Sequence, residues 1–234
     1  LLTLFWVVGI MNSINMLDNM DGITATVSIG IIANTIYRII HNGDITNMHL
    51  LVLIGVLASL VAFLRFNWNP SKMYMGDTGS QFLGVFLAAM GIVYFWNDPY
   101  SNTNPATGKL MAATIMTFIL PILDTTVVVF NRVSSGRSPF VGGKDHTTHS
   151  LALLGLSDRK VALVFVALAG LSLMMNVIIE EYIGEWQHTF SIIFSVYFIA
   201  LLSFFFYTTR NKRLKGRERL REIKINSGEE VAKP

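Results

Sequence analysis

The sequence has no cysteine, which excludes a disulfide framework and thiolate chemistry and leaves the compartment unfixed by redox. Charge is also scarce. Only 14% of the 234 residues are Asp, Glu, Lys or Arg, against about 25% in an average soluble domain. There is therefore little room for a separate soluble domain. No internal repeat is visible, and the chain opens Leu-Leu-Thr inside an apolar run. Hydrophobic residues, at 52%, dominate what remains. The fold class expected is all-α, a polytopic transmembrane helical bundle with about 6–7 spans.

The apolar runs lie at 1–11 (a partial span), 23–40, 49–66, 80–97, 110–131, 161–179 and 189–208. Their connections alternate between two sides. Segments 12–22, 67–79, 132–160 and the tail from 209 share one side; 41–48, 98–109 and 180–188 share the other. Arg38 and Lys109 are the cations of the second side, whereas Arg65, Lys72, Arg132, Arg137, Lys144, Arg159, Lys160 and the tail cluster fall on the first. By the positive-inside rule the first side is cytoplasmic. Residues 1–208 read as the membrane domain. Residues 209–234 read as a basic tail, solvated at an anionic leaflet and without the surrounding basic domain that nucleic-acid binding would require.

The stretch NSINMLDNMDG repeats a polar residue every third position: Asn12, Asn15, Asp18 and Asp21. At about 100° per residue, steps of three spread these groups over roughly half of a helix circumference, and a tighter turn would align them. Carboxylates beside a membrane run suit a divalent cation or a proton carrier; the alternative is a capped, hydrated loop. In NWNPSKMYMGDTGS, Asp77 lies among glycines where the next helix starts. A helix N-terminus suits phosphate, and an Asp in the same turn suits it only with a cation between them; the alternative is an ordinary Asp-Thr-Gly turn. The longest loop carries Arg137, Lys144, Asp145, His146 and His149. Cationic groups beside an acid can grip a nucleotide diphosphate. The two histidines alone would allow zinc, but with no cysteine and with hard oxygen donors elsewhere Mg²⁺ suits the ensemble better. Asp124, inside the run 110–131, is either functional or a partner for an Arg or a helix end. A transporter would more often show polar groups at the midplane on broken helices in repeated halves, and the sequence shows neither.

NSINMLDNMDG, NWNPSKMYMGDTGS, PILD and GGKDHTTHSL, in this order, resemble the polyprenyl-phosphate N-acetylhexosamine-1-phosphate transferases over about residues 1–160. Two positions depart from that family's pattern: Asn19 stands where it has Gly, and Thr148 where it has the middle His of His-x-His-His. The family's upstream Asp-Asp pair, followed shortly by Lys, does not occur in these residues, so several spans are expected to precede Leu1 and activity to need them. The resemblance implies transfer of a sugar-1-phosphate, GlcNAc-1-phosphate by the shortened histidine motif, from a UDP-sugar to a membrane polyprenyl phosphate, with UMP released for cell-envelope polysaccharide synthesis. The alternatives are a phospho-MurNAc-pentapeptide transferase of the same superfamily, or a transporter or subunit without enzymatic activity. It further implies Mg²⁺, with Mn²⁺ as a substitute, a bacterial inner-membrane location with a cytoplasm-facing site, and room for a homodimer. On this resemblance Asp18, Asp21, Asp77, His146 and His149 are the catalytic candidates, with Asp77 and Asp21 as metal ligands. Asn15, Asn67, Arg137 and Lys144 are the substrate-binding candidates.

Overall fold

A computed structural model describes residues 1–100, 107–138, 143 and 145–226, with side chains through residue 210. Every regular element among the described residues is a helix. In chain order they are α1 (Leu2–Leu17), α2 (Ile23–His41), α3 (Met48–Asn67), α4 (Gly76–Gly91, continued by a π-helical turn over Ile92–Trp96), α5 (Thr107–Thr117), α6 (Ile119–Val133), α7 (Thr147–Leu153), α8 (Asp158–Glu181) and α9 (His188–Asn226). The expected helical membrane bundle is what the chain forms. Five helices are long and apolar enough to cross a bilayer, or six if α5 and α6 make one span.

That pair corrects an expectation. The apolar run 110–131 is not one straight span, and a broken helix does occur: α5 and α6 meet at 76°. Pro121 supplies the reason. Its ring cannot fit against the carbonyl four residues earlier, at Thr117, and it has no N–H to donate. In the first turn of a new helix that missing donor costs nothing, since no intrahelical partner exists there. Thr117 adds to the break by turning its hydroxyl back onto the Ala113 carbonyl at 2.8 Å, a bond that bends helices. Asn176 of α8 braces the corner, donating to Asn34 Oδ1 of α2 at 2.6 Å and to Thr117 Oγ1 at 3.0 Å.

In a bilayer there is no hydrophobic drive between spans, so close backbone packing takes its place. Helices α1 and α4 show it: a Cβ on Gly84 would stand 2.7 Å from Met11 Cα. The interior is apolar, with Ile14, Leu17, Leu87, Phe118 and Val127 buried. Leu51, Ile54 and Val61 of α3 and Ile192, Val196 and Ile199 of α9 face outward, as lipid-contacting faces should. The last helix runs without interruption past residue 208 to Asn226.

The two ends of the bundle differ in chemistry. At one end Arg38 is buried, lies 3.0 Å from Asp98 and also pairs with Glu180, which Lys109 meets at 3.5 Å. The two cations assigned to that side are thus neutralised locally. At the other end the loops after α1, α3 and α6 come together.

Candidate functional site

The three polar loops are tied by side-chain bonds between residues far apart in sequence. Helix α1 ends at Leu17, and a turn carries the chain to Gly22, whose φ of +77° is the left-handed conformation that glycine adopts without strain. This division separates the evenly spaced polar residues. Asn12, within the helix, donates back to the Val8 carbonyl at 2.8 Å. Asn15 reaches the next loop, accepting from Ser80 Oγ at 2.6 Å. Asp18 lies close enough to exposed Asp77 for the two carboxylates to interact; burial pushes the Asp18 carboxyl above the usual carboxylate range, and the Asp77 charge adds to the shift. Asp21 turns to the second loop, where one oxygen accepts from Asn69 Nδ2 at 3.0 Å and from the Ser71 N–H at 3.1 Å.

Asn67 is the staple between these loops. Its buried carboxamide accepts from the Gly22 N–H at 3.0 Å and donates to the Met73 carbonyl at 2.7 Å. Asp77 occupies the first turn of α4, where a carboxylate is favoured by the helix dipole.

The third loop is held by Asp124. This residue is 1% exposed and is bonded to a helix end. One oxygen accepts from the Thr147 N–H at 2.9 Å and from Thr147 Oγ1 at 2.6 Å; the other faces His146 Nδ1 at 2.9 Å. Helix α7 therefore starts where α6 presents its carboxylate. The His146 and His149 rings are 6.4 Å apart, edge to face. Arg132 binds Asp145 through two parallel bonds of 2.8 and 2.7 Å. Burial raises the Asp145 carboxyl, but the Arg132 hydrogen bonds and charge outweigh it and hold the group below the usual range. Arg137, largely exposed, stands 3.7 Å from the same carboxylate. Lys144 lies outside the described residues.

Two residues that depart from the family pattern meet here. Thr148 Oγ1, fully buried, donates to Asn19 Oδ1 at 2.6 Å, and Asn19 Nδ2 donates to the Met16 carbonyl at 2.7 Å. A hydrogen-bonding side chain in place of glycine and a hydroxyl in place of imidazole thus form one latch between the first and third loops. The sequence marked both positions as departures, but nothing in it marked them as partners. Replacing Thr148 by Val keeps the shape and orphans the Asn19 oxygen, a loss of about 1–3 kcal/mol. Hydrogen exchange over residues 147–153 of the full-length protein is expected to quicken in Thr148→Val and to stay near the parent rate in Thr148→Ser. Equal protection in both variants would show that the latch does not hold the loop.

The donor set can be tested against a hard divalent ion. Among the described residues no group of three or more Asp, Glu or His side chains is arranged to hold a metal. Asp18 and Asp77 are two carboxylates close enough for the Asp77 charge to act on Asp18, which suits Mg²⁺, an ion commonly held by one or two carboxylates together with water and substrate phosphates. Asp21 suits it less, because one of its oxygens already accepts two bonds from the 69–71 turn.

Residues 1–95 match the family model described as glycosyl transferase family 4. A probable undecaprenyl-phosphate N-acetylglucosaminyl 1-phosphate transferase of Bacillus subtilis is 29% identical over 202 residues, which are 86% of this chain and 54% of that protein. A decaprenyl-phosphate N-acetylglucosaminephosphotransferase of Mycobacterium leprae is 32% identical over 188 residues, 73% of this chain and 46% of the relative. A phospho-N-acetylmuramoyl-pentapeptide-transferase of Lactobacillus johnsonii is 33% identical over 165 residues, 70% and 47% of the two chains. This chain spans about half the length of the curated relatives it matches.

Proposed function

We propose that this chain, related by its motifs and its matches to the polyprenyl-phosphate N-acetylhexosamine-1-phosphate transferases, forms part of an enzyme that moves a sugar-1-phosphate from a UDP-sugar to a membrane polyprenyl phosphate. The donor we assign is UDP-GlcNAc. A lipid phosphate oxygen bonds to the β-phosphorus of the donor, the bond from that phosphorus to the oxygen bridging it to the α-phosphate breaks, and the bridging oxygen leaves with UMP. The observation that carries this reading is the bonding of all three polar loops at one end of an apolar bundle, through Asn15–Ser80, Asp21–Asn69 and Asn19–Thr148. One substrate is an amphiphile and the other is water-soluble, so a site at a membrane–water boundary is where the two can meet.

Asp77, with Asp18 beside it, would hold Mg²⁺. When bound, that ion supplies positive charge between two phosphates that otherwise repel. Asp18, with a raised proton affinity, can also hold a proton when no cation is near. Asp21 and Asn67 fix the second loop against the first. Asn15 orients the first turn of α4 through Ser80. His146, held at Nδ1 by Asp124, would offer Nε2 as an acceptor to a sugar hydroxyl, and His149 and Arg137 would supply donors to phosphate on the same loop. Lys144 belongs to this group by sequence.

The direct test is turnover by the full-length protein. UDP-GlcNAc and a polyprenyl phosphate are expected to yield UMP and the lipid diphosphate sugar in equal amounts, while UDP-MurNAc-pentapeptide yields little. UMP release from the pentapeptide donor alone would move the assignment to that branch, and release from neither would end the transferase reading. Orientation has its own test, helped by the absence of native cysteine in these residues. We expect a cysteine placed at exposed Ile45 to react with an impermeant reagent added outside intact cells, and one at Thr78 to react only after permeabilisation. The reverse pattern would turn the site to the external face.

A further inference from the structure

A second cationic feature lies behind the site. A cavity of about 440 Å³ is lined by Arg65 and Phe66 at the end of α3, by Trp68, Asn69 and Lys72 of the following turn, and by Arg159 in the first turn of α8. No acidic side chain is among its lining residues. Among the described residues none of the three cations is in an ion pair. Local bonds bring them together. The Lys72 N–H donates to the Phe66 carbonyl at 2.8 Å and closes the turn, and Arg159 Nε donates to the Asn69 carbonyl at 2.9 Å. Three like charges around one cavity repel, and an anion among them removes that cost.

We propose that this cavity binds the phosphate headgroup of an anionic membrane lipid. A phosphate ester is the chemistry that a cluster of Arg and Lys recognises. The lipid source follows from what adjoins the cluster. Arg65 lies in the last turn of a helix whose outer face is apolar, with Val61 at 55% and Phe66 at 51% exposed, so acyl chains have a surface to lie along. Trp68, half-buried in the wall, has the amphipathic ring that settles at headgroup depth. A soluble phosphate would have no use for either.

The site also has a route to the loops described above. The Asn69 carbonyl takes Arg159 while the Asn69 side chain donates to Asp21. A headgroup held by Arg159 therefore stiffens, from behind, the turn that holds Asp21. This is a positioning effect, and the lipid site itself stands or falls independently of the transferase reading.

Trp68 is the reporter. The full-length protein and its Trp68→Phe variant, in nanodiscs, are titrated with brominated phosphatidylglycerol or brominated phosphatidylcholine, and the difference in emission isolates Trp68. Quenching by the anionic lipid is expected at a several-fold lower lipid fraction than by the zwitterionic one. Each cation near an anionic headgroup contributes about fivefold in affinity, so Arg65→Gln with Lys72→Gln should erase the preference. Both side chains are exposed, and the thermal midpoint should hold; if the double variant fails to fold, Lys72→Gln alone should cost about fivefold. Equal quenching by the two lipids would overturn the site, as would a preference that survives both substitutions. A Trp68 response to glycerol phosphate without any lipid preference would overturn the membrane source and leave a soluble ester as the ligand.

Discussion

Asp77→Asn in the full-length enzyme is expected to lower kcat by about 10²–10³, the scale of one removed electrostatic contact to developing charge. The substitution is nearly isosteric and keeps a carbonyl oxygen in the first turn of α4, so it isolates the charge. Asp77 is exposed and Ser80 Oγ bonds Asn15 and the backbone carbonyls of Gly76 and Asp77, so its carboxylate is not needed to hold the loops together. The thermal midpoint should therefore move little, by the equivalent of about 0.5 kcal/mol or less. The dependence on Mg²⁺ should weaken, since Asp18 alone would remain of the carboxylate pair. An ordinary turn would give a different result: an Asn in the first turn serves nearly as well as an Asp, and turnover would survive. Near-normal kcat for Asp77→Asn at saturating Mg²⁺ would remove the metal from this position.

The spans were legible because apolar runs near 20 residues leave few alternatives in a chain with so little charge. Where those runs mislead, the missing information was in single residues. Pro121 lies inside the run 110–131, and hydropathy averages over it, whereas the backbone cannot. The threefold spacing of Asn12, Asn15, Asp18 and Asp21 suggested one shared surface. It breaks up because α1 ends at Leu17, after which spacing no longer sets direction, so Asn12 stays with its own helix and Asp21 joins the 69–71 turn. The identity of the three loops could be read from charge and glycine, but their mutual bonds could not. Asn19 and Thr148 are 129 positions apart, and a contact between single side chains at that range leaves no period and no local composition to find. Arg132 with Asp145 is nearer, and a buried Arg close in sequence to an Asp would have been a fair signal.

Asp124→Asn is the second substitution from which a large loss is expected, and it separates a scaffold role from a chemical one. A carboxylate at Asp124 only accepts, so across the 2.9 Å contact it calls for the His146 tautomer with its proton on Nδ1 and a bare Nε2. An Asn keeps the oxygen that Thr147 needs through its N–H and hydroxyl, so the start of α7 should persist. Its amide nitrogen then faces Nδ1 and is a donor, which drives the imidazole proton to Nε2. The same exchange behind a catalytic histidine in serine proteases inverts the tautomer with a large loss of rate. Here kcat is expected to fall by about 10²–10⁴, the range for lost general acid–base assistance. The ¹⁵N spectrum of labelled histidine should show the proton of one ring moving from Nδ1 to Nε2. Asp124→Ala should lose the scaffold as well, at about 1–3 kcal/mol for each buried donor left without its acceptor. If Asp124→Asn keeps full turnover while its histidine tautomer inverts, His146 does no proton chemistry, and Asp124 is a helix anchor alone.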